Sequence, residues 1–173
     1  MPVKLRNHWA ASAPLWRDDE RKRTWLVSFE GQLNFLATWL EPILDRPYLS
    51  AVPQEWLQLT LGAGDDVGVV RARCAELPCV DALVGPVRVV DDGVSADVLP
   101  AEELRALFEA AGGSGEFWPH VTFAYAREEA EMDELEVNAA DAVLIDAISL
   151  VELRREGELY RWELVERVPL ARP

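Results

Sequence analysis

The sequence predicts an α+β protein made of two similar halves, each combining antiparallel sheet with helices. Segments of period two and period 3.6 alternate in the order strand, helix, strand, helix, strand pair, helix, strand, helix, strand pair, which is close to a repeat. A short pattern, Trp-x-(Gln/His)-aliphatic-Thr-hydrophobic, occurs once in each half. It reads Trp56-Leu57-Gln58-Leu59-Thr60-Leu61 in the first and Trp118-Pro119-His120-Val121-Thr122-Phe123 in the second. With 173 residues and 50% hydrophobic content, the chain suits one domain with a core that needs no covalent staple.

Residues 1–19 have no sustained period and are broken by Pro2 and Pro14, so they predict an extended N-terminal arm ahead of one domain over residues 20–173. The arm carries His8, Trp9 and Trp16. Two tryptophans are costly to leave in water, so the arm is expected to fold back over the body. Residues 23–30 alternate apolar and polar and predict a strand ended by Gly31. Leu33, Leu36, Ala37, Leu40, Ile43 and Leu44 then follow at helical spacing, stopping near Pro47. The first motif strand ends at Gly62-Ala63-Gly64, and Asp65 is placed to cap a helix over residues 66–77. Asp91-Asp92-Gly93 joins the valine-rich strands 80–90 and 93–99 as a hairpin. Pro100 opens a helix through Ala111 with Leu104, Leu107 and Phe108 on its buried side. Gly112-Gly113-Ser114-Gly115 leads into the second motif strand. The acidic stretch 127–136 predicts a short exposed helix, and segments 142–153 and 159–168 predict a final hairpin around residues 155–158.

As regular strands, both motifs alternate between faces. Trp56, Gln58 and Thr60 oppose Leu57, Leu59 and Leu61, and Trp118, His120, Thr122 and Ala124 oppose Val121, Phe123 and Tyr125. One face packs and the other is free for chemistry.

Composition excludes several function classes. Cys74 and Cys79 form neither a disulfide framework nor a zinc knuckle, and with only His8 and His120 as histidines no metal is assigned. No cofactor is called for either. Gly62 and Gly64 are followed by acids, not by the Lys and Ser/Thr of a P-loop, and read as a turn. A formal net charge of -14 repels long nucleic acid. Arg17, Arg21, Lys22 and Arg23, interleaved with Asp18, Asp19 and Glu20, read as a solvated face. No apolar run is long enough for a membrane span and no secretion signal opens the chain, so a cytoplasmic location is expected.

The paired H-x-T-hydrophobic strands resemble those of the 2H phosphoesterase superfamily, which includes the proteins called 2'-5' RNA ligases. His120-Val121-Thr122-Phe123 matches that signature, Thr60 and Leu61 match in the first copy, and Gln58 stands where the family has its other histidine. The final hairpin, with Ser149-Leu150-Val151-Glu152-Leu153 and Tyr160-Arg161-Trp162, extends the resemblance over most of residues 23–168. It implies two lobes related by a pseudo-twofold axis, with the motif strands side by side at the floor of a central cleft. It also implies phosphodiester chemistry, in which the histidines exchange protons with attacking and leaving oxygens and the threonines bind phosphate oxygens.

Carried over, His120, Thr122 and Thr60 keep those roles, and Gln58 can donate a hydrogen bond but cannot titrate. The expected partner is a small phosphorylated ligand, a nucleotide with a cyclic or 2'-5' phosphodiester, hydrolysed slowly. A nonhydrolytic nucleotide binder and a scaffold turned to other small-molecule chemistry are the alternatives. Trp56 and Trp118 either stack on a flat ligand or close the core. Tyr125 and Arg127 complete the candidate ligand-binding set, and Arg88 and Arg161 are further guanidiniums within reach of the cleft mouth. His8 is the remaining titrating imidazole, on an arm able to lie across the cleft.

Overall fold

A computed structural model of the chain describes residues 1–17, 19–135 and 137–172. Its sheet strands, in chain order, are β1 (Val3–Leu5), β2 (Arg21–Ser28), β3 (Leu49–Ala51), β4 (Gln58–Gly62), β5 (Val80–Val90), β6 (Gly93–Leu99), β7 (His120–Ala126), β8 (Ala130–Met132), β9 (Asp141–Ile145), β10 (Ala147–Arg155) and β11 (Tyr160–Pro169). The helices are α1 (His8–Ser12), α2 (Asn34–Leu44), α3 (Val67–Cys74) and α4 (Ala101–Ala110), with 3₁₀ turns at Ala13–Leu15 and Gln54–Trp56. No helix among the described residues is long and apolar enough to cross a membrane.

Two antiparallel sheets dominate, one ordered β11-β10-β2-β4 and the other β3-β7-β6-β5-β9, with β1 and β8 forming a separate two-stranded ribbon. Matching the motif strands makes β2-α2-β4 and β6-α4-β7 equivalent strand–helix–strand units. A strand made after each unit joins the other sheet. β5, made after the first unit, pairs with β6, while β10, made after the second, pairs with β2. The two halves are therefore braided, and the β5–β6 hairpin spans the junction between them.

The helices take their places by burying one stripe each. Leu36, Leu40 and Leu44 line the buried face of α2, and the Asp141 carboxylate accepts from the Leu36 amide at 2.9 Å near its start. In α4, Leu104, Leu107 and Ala110 face inward, with Glu102 and Glu103 in the first turn, where the helix dipole favours negative charge. The cap of α3 is Asp66, which accepts from the Gly68 and Val69 amides at 3.0 and 3.3 Å, and not the expected Asp65. Asp65 instead turns its carbonyl to the Trp25 indole N–H at 2.9 Å and its carboxylate to Arg73. Buried side chains from both sheets and all three of these helices merge into one core, in which Trp25 and Phe123 are the bulkiest fully buried members.

Each motif strand is irregular at the same place. The β4 register against β2 shifts at Leu61, and the β7 register against β6 shifts at Phe123, in both cases one residue past the threonine. An extra residue in one strand reverses which face the following side chains take. Tyr125 is thereby moved from the packing face, where regular alternation puts it, to the face of Thr122.

Three other expectations are corrected. Residues 1–17 are no extended arm: β1 pairs with β8, and Asn7 caps the short α1, whose Trp9 is 4% exposed. The stretch 127–136 carries β8 instead of a helix, because pairing with β1 satisfies its backbone across the ribbon. The segment 142–153 is divided at Asp146, with β9 in one sheet and β10 in the other. Asp18 in the charged run, Glu136 at the end of the expected helix and Pro173 lie outside the described residues. The rest of that run is a solvated face, with Arg21 reaching Glu152 and Lys22 donating to the Leu15 carbonyl.

Candidate active site

Where β4, at the edge of the four-stranded sheet, lies beside β7, the two motif strands form the floor of one recess. Gln58, Thr60, His120 and Thr122 all line it. The recess holds about 40 Å³ of free space and opens to solvent. Trp9, Ala51, Val52, Trp56 and Tyr125 form the walls, with Glu158, Leu159 and Tyr160 from the β10–β11 turn.

His120 opens β7 and is held on two sides. Its Nδ1 lies 2.7 Å from the Trp118 carbonyl oxygen. A carbonyl only accepts, so Nδ1 carries the proton and the neutral ring presents its lone pair at Nε2. The Trp118 indole stacks on the imidazole with centroids 3.9 Å apart and planes 13° from parallel. Trp118 donates to Asp97 Oδ1 at 2.7 Å, and Arg88 bonds the same oxygen at 2.9 Å while covering the indole. Trp118 precedes the strand and lies outside the recess lining, so it fixes His120 from behind.

The threonines differ in setting. Thr122 Oγ1 shares a hydrogen bond with the buried Ser95 hydroxyl at 3.2 Å, whereas Thr60 is exposed at the rim. Tyr125 lies beside Thr122, and burial pushes its hydroxyl far above the usual phenol range, with Tyr160 adding to the rise and a hydrogen bond to Thr122 opposing it. Tyr125 is thus a neutral donor in the recess wall.

Gln58 occupies the position equivalent to His120 on β4. Its Oε1 is buried without a hydrogen-bond partner, as are Ser28 Oγ, directly across the strand pair, and Trp162 Nε1. Trp162 meets Trp56 edge-on at 5.3 Å. An unmet buried polar atom costs about 1–3 kcal/mol, which a polar ligand there would relieve. Trp56 sits on a 3₁₀ turn, not on the motif strand, yet still walls the recess.

The expected guanidiniums are already matched by carboxylates. Arg127 pairs with Glu158 at 3.2 Å, Arg88 with Asp97 at 2.9 Å and Arg161 with Glu156 at 3.4 Å. Arg127 itself lines a neighbouring groove that shares Ala51 and Val52 with the recess. Among the described residues, no group of three or more His, Cys, Asp or Glu side chains gathers as metal ligands.

Sequence reasoning missed Trp9, Glu158 and Tyr160 as wall residues. Tyr160 had a signal, since it belongs to the hairpin segment that carried the resemblance. His8 does not line the recess. It sits one layer behind, with its ring stacked on Tyr125 at 4.1 Å, Nε2 2.8 Å from the Tyr160 hydroxyl and Nδ1 3.1 Å from Asp92 Oδ2.

Two motif strands floor a cleft between braided sheets, the arrangement that the sequence resemblance implied. The solved structures of similar fold bear this out. E. coli LigT complexed with 3'-AMP superposes with a TM-score of 0.64 at 15% identity, covering 88% of this chain and 99% of its own. A crystal structure described as a phosphoesterase gives 0.62 at 13%, with 88% and 99% covered. The Thermus thermophilus protein TT0787 gives 0.60 at 18%, with 86% and 97% covered. LigT has also been crystallised with NADP+, with phosphate and with ATP. At these identities the likeness is one of fold. No family model matches the sequence, and no curated protein matches it.

Proposed function

We propose that this protein is a phosphodiesterase whose recess takes a small nucleotide carrying a cyclic or 2'-5' phosphodiester. The observation that carries this reading is the convergence of Gln58, Thr60, His120 and Thr122, from two separate strands, on one recess. His120 Nε2 takes the proton of the attacking water or hydroxyl. The Thr60 and Thr122 hydroxyls and the Gln58 carboxamide donate to the non-bridging phosphate oxygens. Trp56 offers the nucleobase an aromatic wall. Complexes of LigT with 3'-AMP and with phosphate support a ligand of this chemistry.

Turnover of 2',3'-cyclic nucleotides by the wild-type protein and by His120→Ala tests the reading. The variant should lose about 10²-fold or more in kcat, the usual contribution of one general acid or base. Equal rates would end the enzymatic reading. A second reading, binding without hydrolysis, is favoured by Gln58, which cannot carry a proton in the step its position implies. It expects calorimetric binding of the same nucleotides with no turnover by the wild type.

A further inference from the structure

The recess holds one imidazole, and phosphodiester cleavage by acid–base chemistry uses two proton-transfer groups. The chain's other imidazole lies one hydrogen bond away. His8 Nε2 is 2.8 Å from the hydroxyl of Tyr160, a wall residue of the recess, and His8 Nδ1 is 3.1 Å from the Asp92 carboxylate. We infer that Tyr160, backed by His8 and positioned by Asp92, supplies the second proton transfer that Gln58 cannot perform. This inference rests on the phosphodiesterase reading above.

The polarity of the chain decides what Tyr160 can do. When His8 is neutral, Asp92 can only accept, so Nδ1 carries the ring proton and Nε2 accepts from the Tyr160 O–H. That hydroxyl then points its proton away from any ligand. When His8 is protonated, both ring nitrogens donate: Nδ1–H to Asp92 and Nε2–H to the Tyr160 oxygen. The phenolic proton is then released from His8, free to turn to a ligand in the recess in competition with the neighbouring Ser12 hydroxyl.

Protonating His8 thereby converts Tyr160 from a donor to His8 into a donor to the ligand. In the step itself, His120 Nε2 takes the proton of the attacking water or hydroxyl as its oxygen bonds to phosphorus. The bond from phosphorus to the leaving oxygen breaks, that oxygen takes the Tyr160 proton, and Tyr160 takes the Nε2 proton of His8. His8 ends neutral and His120 ends charged, and exchange with solvent resets both.

Groups from several elements surround His8. From its own helix Trp9 meets it edge-on at 5.0 Å, from β7 Tyr125 stacks at 4.1 Å, and Tyr160 comes from β11. Asp92 in the β5–β6 turn is the carboxylate in contact, with Arg6 held by its neighbour Asp91 at 3.2 Å. Arg155 of β10 is occupied by the Ser12 hydroxyl and the Trp9 carbonyl at 3.0 and 2.7 Å. Tyr125, whose ring covers His8, stays neutral.

The test is the pH–rate profile for 2',3'-cyclic AMP with wild type, Tyr160→Phe, His8→Gln and His120→Ala. Wild type should give a bell, rising as His120 loses its proton and falling as His8 loses its own. Tyr160→Phe keeps the ring and its packing, and His8→Gln keeps hydrogen-bonding capacity without titration. Each should lower kcat about 10²-fold, leave KM within about threefold, and abolish the alkaline fall. Adding Gln58→His to Tyr160→Phe should restore at least about tenfold of that loss, by placing an imidazole on the equivalent strand position. If either variant keeps wild-type kcat and the full bell while His120→Ala is inactive, the relay is wrong and the phosphodiesterase reading stands. If wild type shows no turnover, or His120→Ala matches it, both fall.

Discussion

His8, Asp92 and Tyr160 come from three distant parts of the sequence, and their contacts govern one another's ionisation. The Asp92 carboxyl is held below the usual range chiefly by its hydrogen bond with His8. Burial opposes this, and the charges of His8 and Arg6 add to it. Folding therefore favours the carboxylate. The resulting stabilisation is fully present above the unfolded carboxyl's pKa, about 3.9, and is lost as pH falls through the lower folded value. Asp92→Asn should cost about 1.5–3 kcal/mol at pH 7, the worth of a hydrogen bond to a charged group. Urea unfolding from pH 7 to pH 2 should show that gap closing below about pH 4, and an unchanged gap would contradict the assignment. None of this trio could be read from spacing. His120, Thr122, Thr60 and Gln58 were legible because a period-two strand sends alternate residues to one face. Tyr125 was misassigned to a face because nothing in Val121-Thr122-Phe123-Ala124 announces an extra residue in the ladder.

Among the elements, β4 and β7 set the floor of the recess, and Gly93 sets how closely the turn before β6 approaches β7. Its φ of 156° and its position against β7 leave no room for a side chain, since a Cβ there would overlap the Ala124 carbonyl. That approach also brings the neighbouring Asp92 within reach of His8. Gly93→Ala should therefore cost more than about 1 kcal/mol in urea unfolding, because alanine cannot relieve both the strain and the overlap. It should also weaken the Asp92–His8 contact, seen as a changed His8 ring resonance by NMR. A variant as stable as wild type would show that the turn can retreat. The main helices and most strands were legible from their apolar stripes, Leu36/Leu40/Leu44 being the plainest. The ribbon of β1 and β8 was not, because its three-residue strands are shorter than any periodicity can mark, and each is defined only by a partner far along the chain.

The whole molecule couples its halves through exchanged strands. Because β5 completes the second sheet and β10 the first, neither sheet has all its strands within one half of the sequence. A sequence repeat shows that two units are alike, yet it carries no mark of which neighbour each strand will choose, so the exchange had to be seen. One cooperative transition is expected. Far-ultraviolet circular dichroism and tryptophan fluorescence should give coincident urea curves, with Trp25 and Trp9 among the buried reporters. Curves separated by more than their error would mean that the sheets melt independently.

The same exchange governs the order of events on the ribosome. β2 is made long before β10, so one of its edges stays open until β10, far along the chain, is translated. An uncovered strand edge invites pairing with other chains. The nascent polypeptide must therefore keep its first sheet unfinished, and guarded against neighbouring chains, until β10 has been made.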